Sequence, residues 1–476
     1  MKRFREIREG LVTTKYSIVD FFTPLLISIT LFGFLLRIFN IKKPSYFIFD
    51  ETYYIPNARS LLKNGVELSS GEPQFIVHPP VGKWVIALGI KIFGDNPFGW
   101  RAGVLFLGTL SIALVGLLAK ELFNSSPIAL GAAFFSAIDG VFLVQSRVAI
   151  LEGSLAFFIL LASYCFLRYL NSKNRVWLLA LSISSGLALG VKWSAVYYIG
   201  FFGVLILLKT NKSAGRGEII ESMETGGKNL KTKFRKLVEF CRARVVNLIS
   251  LSSYFALTLV TYLITWSGWF LASDAWDRRK VKGGGFLNAV ENLYYYHKDM
   301  LDFHLNLTLK HNYQANPAGW LFMWRPTAFD FKSAGQCGSS KCYYEILQLG
   351  NPVLWWVSVF ALIALIVKIS KSRFKNVEGE LIVLSTFLLG YLPWFFFGKR
   401  TTFTFYSGIF AGFLYIIIAY VLYKGSMKLK PKIRLGFTLF FFSLLLLTLN
   451  FFYPIYAYLP LTPHHWNLHM WLNNWI

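Results

Sequence analysis

Apolar residues in this chain come in long, nearly unbroken runs separated by short polar segments. They show neither the alternation of a half-buried strand nor the one-sided stripe of a surface helix. Eleven runs reach or approach membrane-spanning length, near 18–39, 99–122, 127–146, 152–170, 175–191, 193–208, 247–271, 351–369, 379–397, 403–423 and 435–453. A helix needs roughly 20 apolar residues to cross a bilayer. The runs therefore predict an all-α polytopic membrane bundle. The stretch Val81–Phe93 is too short to cross and predicts a helix lying along one membrane surface. Two long segments, 40–98 and 272–350, fall on one side of the bundle, and one polar segment, 209–246, on the other.

Composition agrees: 55% of residues are hydrophobic and only 15% charged, against about 25% charged in soluble proteins. The net charge of +25 would fit a nucleic-acid partner only if the cations formed one patch. Instead they gather between apolar runs, at 171–175, 209–244, 368–375 and 424–434, all on one side. The positive-inside rule makes that side cytoplasmic. Lys2, Arg3, Arg5, Arg8 and Lys15 place the N-terminus there too. The apolar run after them is too long for a cleavable signal and has no small-residue cleavage site. The odd number of spans puts the C-terminus outside. The reading is one transmembrane domain over 1–476, with no separate soluble domain and a flexible, Gly- and Lys-rich 209–246 loop.

Asp50 and Glu51 sit just past the first span, where a membrane-bound lipid and a soluble substrate would meet. Arg101, Arg147, Glu152, Lys192, Lys399 and Arg400 map to the same outer level. Ionisable groups at such depth are costly and usually face a cavity or a partner. Cations outside also oppose the positive-inside bias, and an anionic ligand would account for them. A phosphate suits guanidinium forks; snorkelling or paired surface cations, such as Arg147 with Glu152, are the alternative. His78 is held by Pro79 and Pro80 near the acidic pair. His297, His304 and His311 recur every seven residues, one helical face if the helix continues. Seven residues rise about 10 Å, too far for two ligands of one ion. They read as an interfacial face or as acceptor contacts, with no metal assigned. Cys337 and Cys342 favour a disulfide on the oxidising side over a metal knuckle, which would need further ligands. Cys165, in a span, and Cys241, cytoplasmic, read as inert.

The order of these residues resembles the protein O-mannosyltransferase family. The resemblance runs through Asp50-Glu51, His78-Pro79-Pro80-Val81-Gly82-Lys83, Arg101, the stretch from Arg147 to Glu152, and Lys192-Trp193. It continues through Tyr296-His297, Phe303-His304, His311, Asn316-Pro317, Gly350-Asn351-Pro352 with Trp355-Trp356, and His469-Met470-Trp471. It looks like the bacterial branch, because 272–350 has no room for the β-trefoil repeats of eukaryotic members. The stretch from Asn316 to Trp320 departs from the family's Ser-Trp-rich pattern.

The resemblance implies a GT-C glycosyltransferase bundle. It also implies inverting transfer of mannose from polyprenyl-phosphate mannose to Ser or Thr hydroxyls at the outer face of the cell membrane. Asp50 would be the base and Glu51 would orient the acceptor or hold the loop. Arg101, which matches the family best, and Arg147 would stabilise the leaving phosphate, with Lys399 and Arg400 added on their position at the same level. His78, Glu152, Lys192 and the three spaced histidines would contact sugar or acceptor. A divalent metal is neither required nor excluded by these residues. Ser/Thr-containing proteins and the bilayer are the expected partners, with the Sec translocon as a candidate helper and no nucleic acid. The competing readings are a sister GT-C enzyme moving aminoarabinose to a glycolipid, a transporter or flippase, and a partner-binding membrane protein. A transporter would place its charges near the midplane with repeat symmetry, and neither is visible.

Overall fold

The computed structural model describes residues 21–208, 230–281 and 285–476, and of 230–244 the backbone only. The basic N-terminal segment and most of the 209–246 loop, from 209 to 229, lie outside the described residues. The elements in chain order are α1 (Phe22–Ile38), α2 (Glu51–Asn64), β1 (Leu68–Ser69), β2 (Glu72–Pro73), α3 (Val81–Phe93), α4 (Pro97–Phe123), α5 (Ser126–Ile138) and α6 (Gly140–Gln145). Then follow α7 (Leu151–Ser172), α8 (Arg175–Val191), α9 (Val196–Leu208), α10 (Leu230–Thr265), α11 (Ser267–Leu271) and α12 (Phe286–Asn306). The chain finishes with β3 (Thr327–Cys337), β4 (Ser340–Gln348), α13 (Pro352–Lys371), α14 (Glu378–Tyr391), α15 (Gly408–Ser426), α16 (Pro431–Tyr456) and α17 (Pro463–His469).

Among the described residues, seven helical segments are long and apolar enough to cross a membrane, and four shorter apolar helices accompany them. These coincide with the eleven runs read from the sequence. The span ending near 271 begins much earlier, because α10 is helical from Leu230, inside the segment expected to be flexible. The short stretch Val81–Phe93 is helical, as expected, and forms α3, which buries Val81, Ile86 and Ile90 and leaves Leu88 and Ile92 exposed.

The bundle is organised around α15. Every residue from Gly408 to Tyr420 is buried, as expected for a helix that is apolar all round and packed on all sides. Helix starts are fixed by Asn-Pro pairs. Asn96 accepts from the Phe98 and Gly99 amides, Asn351 from Val353 and Leu354, and Asn316 from Ala318. In each pair the Asn oxygen satisfies amides that the helix leaves free, and the proline supplies the first-turn dihedral.

The run at 127–146 differs from expectation. It is broken at Asp139, whose extended backbone ends α5 and whose side chain caps α6 through the Val141 amide. The same buried carboxylate accepts from the Asn351 amide (2.8 Å), Trp355 Nε1 (2.9 Å) and the Tyr415 hydroxyl (2.6 Å). Four donors make this charge tolerable in the core. They also give the Gly350–Trp356 stretch a structural job, locking the start of α13 to α5 and α15.

Two elements were not foreseen by an all-α reading. One is the small β1–β2 hairpin; the other is the antiparallel β3–β4 hairpin, whose register runs from Thr327 opposite Gln348 to Cys337 opposite Ser340. A disulfide joins Cys337 and Cys342 near its turn. Tyr343 bridges to Leu461, which ties the hairpin to the end of the chain. Cys165 is a free, buried thiol.

Candidate active site

Asp50 is the residue before α2, and Phe49 ahead of it has a left-handed backbone (φ 47°). That conformation is costly for a bulky side chain and persists only where surroundings impose it. Here the Phe49 ring is wedged among Phe329, Phe405, Phe403 and His311, with centroids 4.9 to 6.5 Å away. From below, Glu51 anchors the same turn. It is fully buried and takes both an Arg101 fork (2.8 and 2.8 Å) and the amides of Ala149 (2.9 Å) and Ile48 (3.2 Å). Between wedge and anchor, Asp50 is left half-buried.

Asp50 lies close to Glu152 and Lys192. Burial first, and then the Glu152 charge, push its carboxyl up to about 6; Lys192 and a hydrogen bond from Tyr54 oppose the rise. Glu152 and Lys192 form an ion pair and line a cavity of about 280 Å³, together with His78, Trp193, His304, Arg400 and Tyr406. Its outer wall is apolar, built by Leu301 and Leu305 of α12 and by Pro393 and Phe397 after α14. Leu301 and Leu305 are also exposed on their other side.

The surroundings of the cavity's imidazoles favour their neutral forms. Burial lowers His78 well below the usual histidine range, helped by Lys192, and lowers His304 to about 4, helped by Arg400. His304 Nε2 lies 2.6 Å from the Val77 carbonyl and its Nδ1 lies 3.4 Å from Arg400 Nη2. A carbonyl can only accept, so Nε2 carries the proton and Nδ1 receives one from Arg400. His78 stacks on His304 at 5.0 Å. Its backbone is held by Lys83, which donates to the His78 carbonyl (3.0 Å) and pairs with buried Glu67 (2.7 Å). Tyr296 pins the neighbouring Ile76 amide (3.0 Å). Two atoms at this cavity, Arg400 Nε and Glu152 Oε2, are buried and meet no protein partner.

Several residues singled out from the sequence lie elsewhere. Arg101 is 0% exposed, and its five donors go to Glu51 and to the carbonyls of Ile41, Pro44 and Tyr46. It is therefore turned away from any phosphate in the cavity. Arg147 is equally buried; its Nη1 donates to the Leu36, Arg37 and Phe39 carbonyls and so closes the end of α1, while Nε and Nη2 meet no protein acceptor. Glu51 is an anchor and is not open to an acceptor. The histidine spacing also fails as one face, because α12 ends at Asn306. His297 packs on Trp193 and bonds Tyr262 (2.7 Å), His304 reaches the cavity, and exposed His311 sits on a loop against Phe403. Lys399 is exposed. Among the described residues no three His, Cys, Asp or Glu side chains gather as metal ligands.

Sequence reasoning missed Tyr54, Tyr406 and Asp139. Tyr54 stands four residues after Asp50 on the same helix face, a spacing the sequence does contain. Tyr406 lies under the Lys192 ammonium (5.7 Å) and stacks on Trp394 (4.4 Å), an arrangement only the fold creates.

A half-buried acid beside a cation-lined cavity with an apolar rim, in a polytopic helical bundle, is the kind of site a membrane-embedded enzyme handling a lipid-linked anionic substrate needs. The chain superposes on the S. cerevisiae protein O-mannosyltransferase Pmt1–Pmt2 complex, solved with its sugar donor, with a TM-score of 0.71 at 15% identity, covering 96% of this chain and 92% of that one. Residues 90–267 match the dolichyl-phosphate-mannose-protein mannosyltransferase model, and residues 289–475 match the C-terminal four-transmembrane region of protein O-mannosyltransferase. The polyprenol-phosphate-mannose–protein mannosyltransferase of Mycobacterium tuberculosis is 29% identical over 90% of this chain and 86% of its own length. That of Mycolicibacterium smegmatis is 28% identical over 94% and 92%. The chain belongs to the protein O-mannosyltransferase family.

Proposed function

We infer that the protein transfers mannose from polyprenyl-phosphate mannose to Ser or Thr hydroxyls of proteins at the outer face of the cell membrane. The family membership and the relatives' named activity support the reaction and its donor. The observation that carries the mechanism is Asp50, an acid at about 6 beside a cavity whose cations Lys192 and Arg400 lie within an apolar rim.

A serine hydroxyl is a poor nucleophile and needs a base near neutrality. Asp50 takes its proton as the oxygen attacks the anomeric carbon. The bond from that carbon to the phosphate oxygen breaks with inversion, and its electron pair leaves with polyprenyl phosphate. No acid is needed for such a leaving group, but its charge must be met by fixed donors. Arg400 and Lys192 take that role, with Arg400 aimed by His304. The apolar wall of Leu301, Leu305 and Phe397 lets the polyprenyl chain remain in the bilayer. Arg101 acts at one remove, holding Glu51 and through it the Asp50 turn. Acceptors are extended or nascent segments at the outer face, where a translocon could deliver them.

The test is transfer in detergent from polyprenyl-phosphate mannose to a Ser/Thr-rich peptide. Wild type is expected to give mannosylated peptide, and Asp50→Asn at least a hundredfold less, in the range general-base catalysis contributes, roughly 10²–10⁴-fold. Wild-type rates from Asp50→Asn would remove it as the base. No product from folded wild type would point to another sugar or acceptor, with polyprenyl-phosphate aminoarabinose and a glycolipid tried next.

A further inference from the structure

A second cavity, also of about 280 Å³, lies between α1, α5, α15 and α16. Ile409 of α15 lines the first cavity and Tyr423 of the same helix lines this one. The two are about 21 Å apart at 1.5 Å per residue, so the second cavity is at the membrane face remote from Asp50. Its walls are mostly apolar, with Leu130, Phe134, Leu422, Phe437 and Phe441 among them; the hydroxyl-bearing Tyr423 and Ser426 belong to the last turn of α15, next to the α15–α16 turn. Pro127 and Phe437 on its border are exposed, so it opens sideways as a groove.

The turn above it carries Lys424, Lys428, Lys430, Lys432 and Arg434. After Glu380 the chain contains no Asp or Glu at all, so α15, α16 and everything that follows offer these cations no carboxylate. Lys424, Lys428, Lys430 and Lys432 are exposed. An apolar groove facing hydrocarbon is filled by a lipid chain, since water finds no hydrogen-bonding partners there. Basic residues at the cytoplasmic end of a transmembrane helix select anionic headgroups.

We propose that this groove holds an acyl chain of an anionic bilayer phospholipid, with its phosphate over the 424–434 turn. The lining fits such an amphiphile, with its headgroup end beside Tyr423, Ser426 and the basic turn and its hydrocarbon against Phe134 and Phe441. The lipid braces α5 against α16 and against α15, the helix whose other end meets the active-site cavity. The site lies apart from the donor cavity and concerns a lipid the reaction does not consume.

The experiment reads Tm of delipidated protein in detergent after adding dioleoyl phosphatidylglycerol, dioleoyl phosphatidylcholine or polyprenyl phosphate. Phosphatidylglycerol is expected to raise Tm by several degrees and phosphatidylcholine by much less. Two variants remove the effect by different routes. Gly131→Leu fills the groove; a Cβ at Gly131 would meet only Ala419 Cβ, at 3.5 Å, so the helix tolerates it. Lys428→Gln/Lys430→Gln/Lys432→Gln removes the charge and touches no core. Both keep peptide mannosylation in detergent. Equal rises from the two phospholipids would overturn the headgroup assignment. A phosphatidylglycerol response unchanged in both variants would place the lipid elsewhere and overturn the groove. A larger rise from polyprenyl phosphate, lost in Gly131→Leu, would give the groove to the carrier lipid instead.

Discussion

Asp50 and Glu51 are consecutive in the chain and face opposite ways across the start of α2. Glu51 looks into the bundle, where Arg101 and two backbone amides occupy its oxygens. Asp50 looks toward Glu152, Lys192 and the cavity. The cations divide in the same way. Arg101 gives all five donors to protein acceptors, whereas Arg400 keeps a buried Nε without one. Both regions contain carboxylate and guanidinium at similar depth. A charge whose hydrogen-bonding capacity is filled by the protein is architecture, and a charge with capacity left over beside a cavity is available for a ligand.

The comparison breaks most visibly at Arg101. Arg101→Ala leaves the Glu51 carboxylate buried without its counter-charge, which costs about 3–5 kcal/mol. That is a large part of a typical folding stability of about 5–15 kcal/mol. The expected outcome is little monodisperse protein on size-exclusion chromatography and a Tm lowered by many degrees. A well-folded Arg101→Ala enzyme with a raised KM for the lipid donor would instead bring Arg101 into phosphate binding.

Arg400 gives the opposite pattern, at intermediate size. Arg400→Ala removes a side chain with an unfilled donor, so Tm should move little. A charge-assisted hydrogen bond contributes about 1.5–3 kcal/mol, so KM for polyprenyl-phosphate mannose should rise roughly ten- to a hundredfold. Steady-state kinetics at saturating peptide makes the measurement. An unchanged donor KM would remove Arg400 from the phosphate site and leave Lys192 as its principal cation.

Much of this was legible in the residues and some was not. The eleven apolar runs located the spans because burial in lipid demands unbroken apolar length, a signal carried locally by each segment. That Glu152, Lys192 and Arg400 come together was legible for a related reason, since each stands near the end of an apolar run. Direction was not. Arg101 and Arg400 read alike in sequence, and only the packing of α4 against the 41–51 stretch turns one of them inward. The β3–β4 hairpin was hidden because its pairing joins residues by register, and the segment's apolar content resembles that of any loop. Asp139 is not legible as a hub because it lies inside an apolar run, and three of its four donors, Asn351 capping α13, Trp355 within it and Tyr415 of α15, come more than two hundred residues later.

The smallest expected effect separates Asp50 from Glu51 most cleanly, because its sign differs. Burial raises the folded-state Asp50 pKa to about 6, from about 3.8 for an ordinary aspartate. A raised carboxyl favours the protonated form in the folded protein. Its contribution to stability is therefore full below about 3.8 and is lost as pH rises through about 6. At pH 7.5 the ionised carboxylate is a net burden, of at most about 3 kcal/mol at 1.36 kcal/mol per unit, and less because Asp50 is only half-buried. Asp50→Asn removes that burden. Its Tm at pH 7.5 should equal or exceed wild type by a few degrees, and the gap should close below about pH 4. Wild-type turnover should fall about tenfold per unit below pH 6 as the base takes up a proton, and level off above it. A Tm series across pH, read beside the turnover profile, makes the distinction. If Asp50→Asn instead lowered Tm by many degrees at pH 7.5, Asp50 would be holding the loop as Glu51 does, and the lost activity of that variant could no longer be assigned to a missing base.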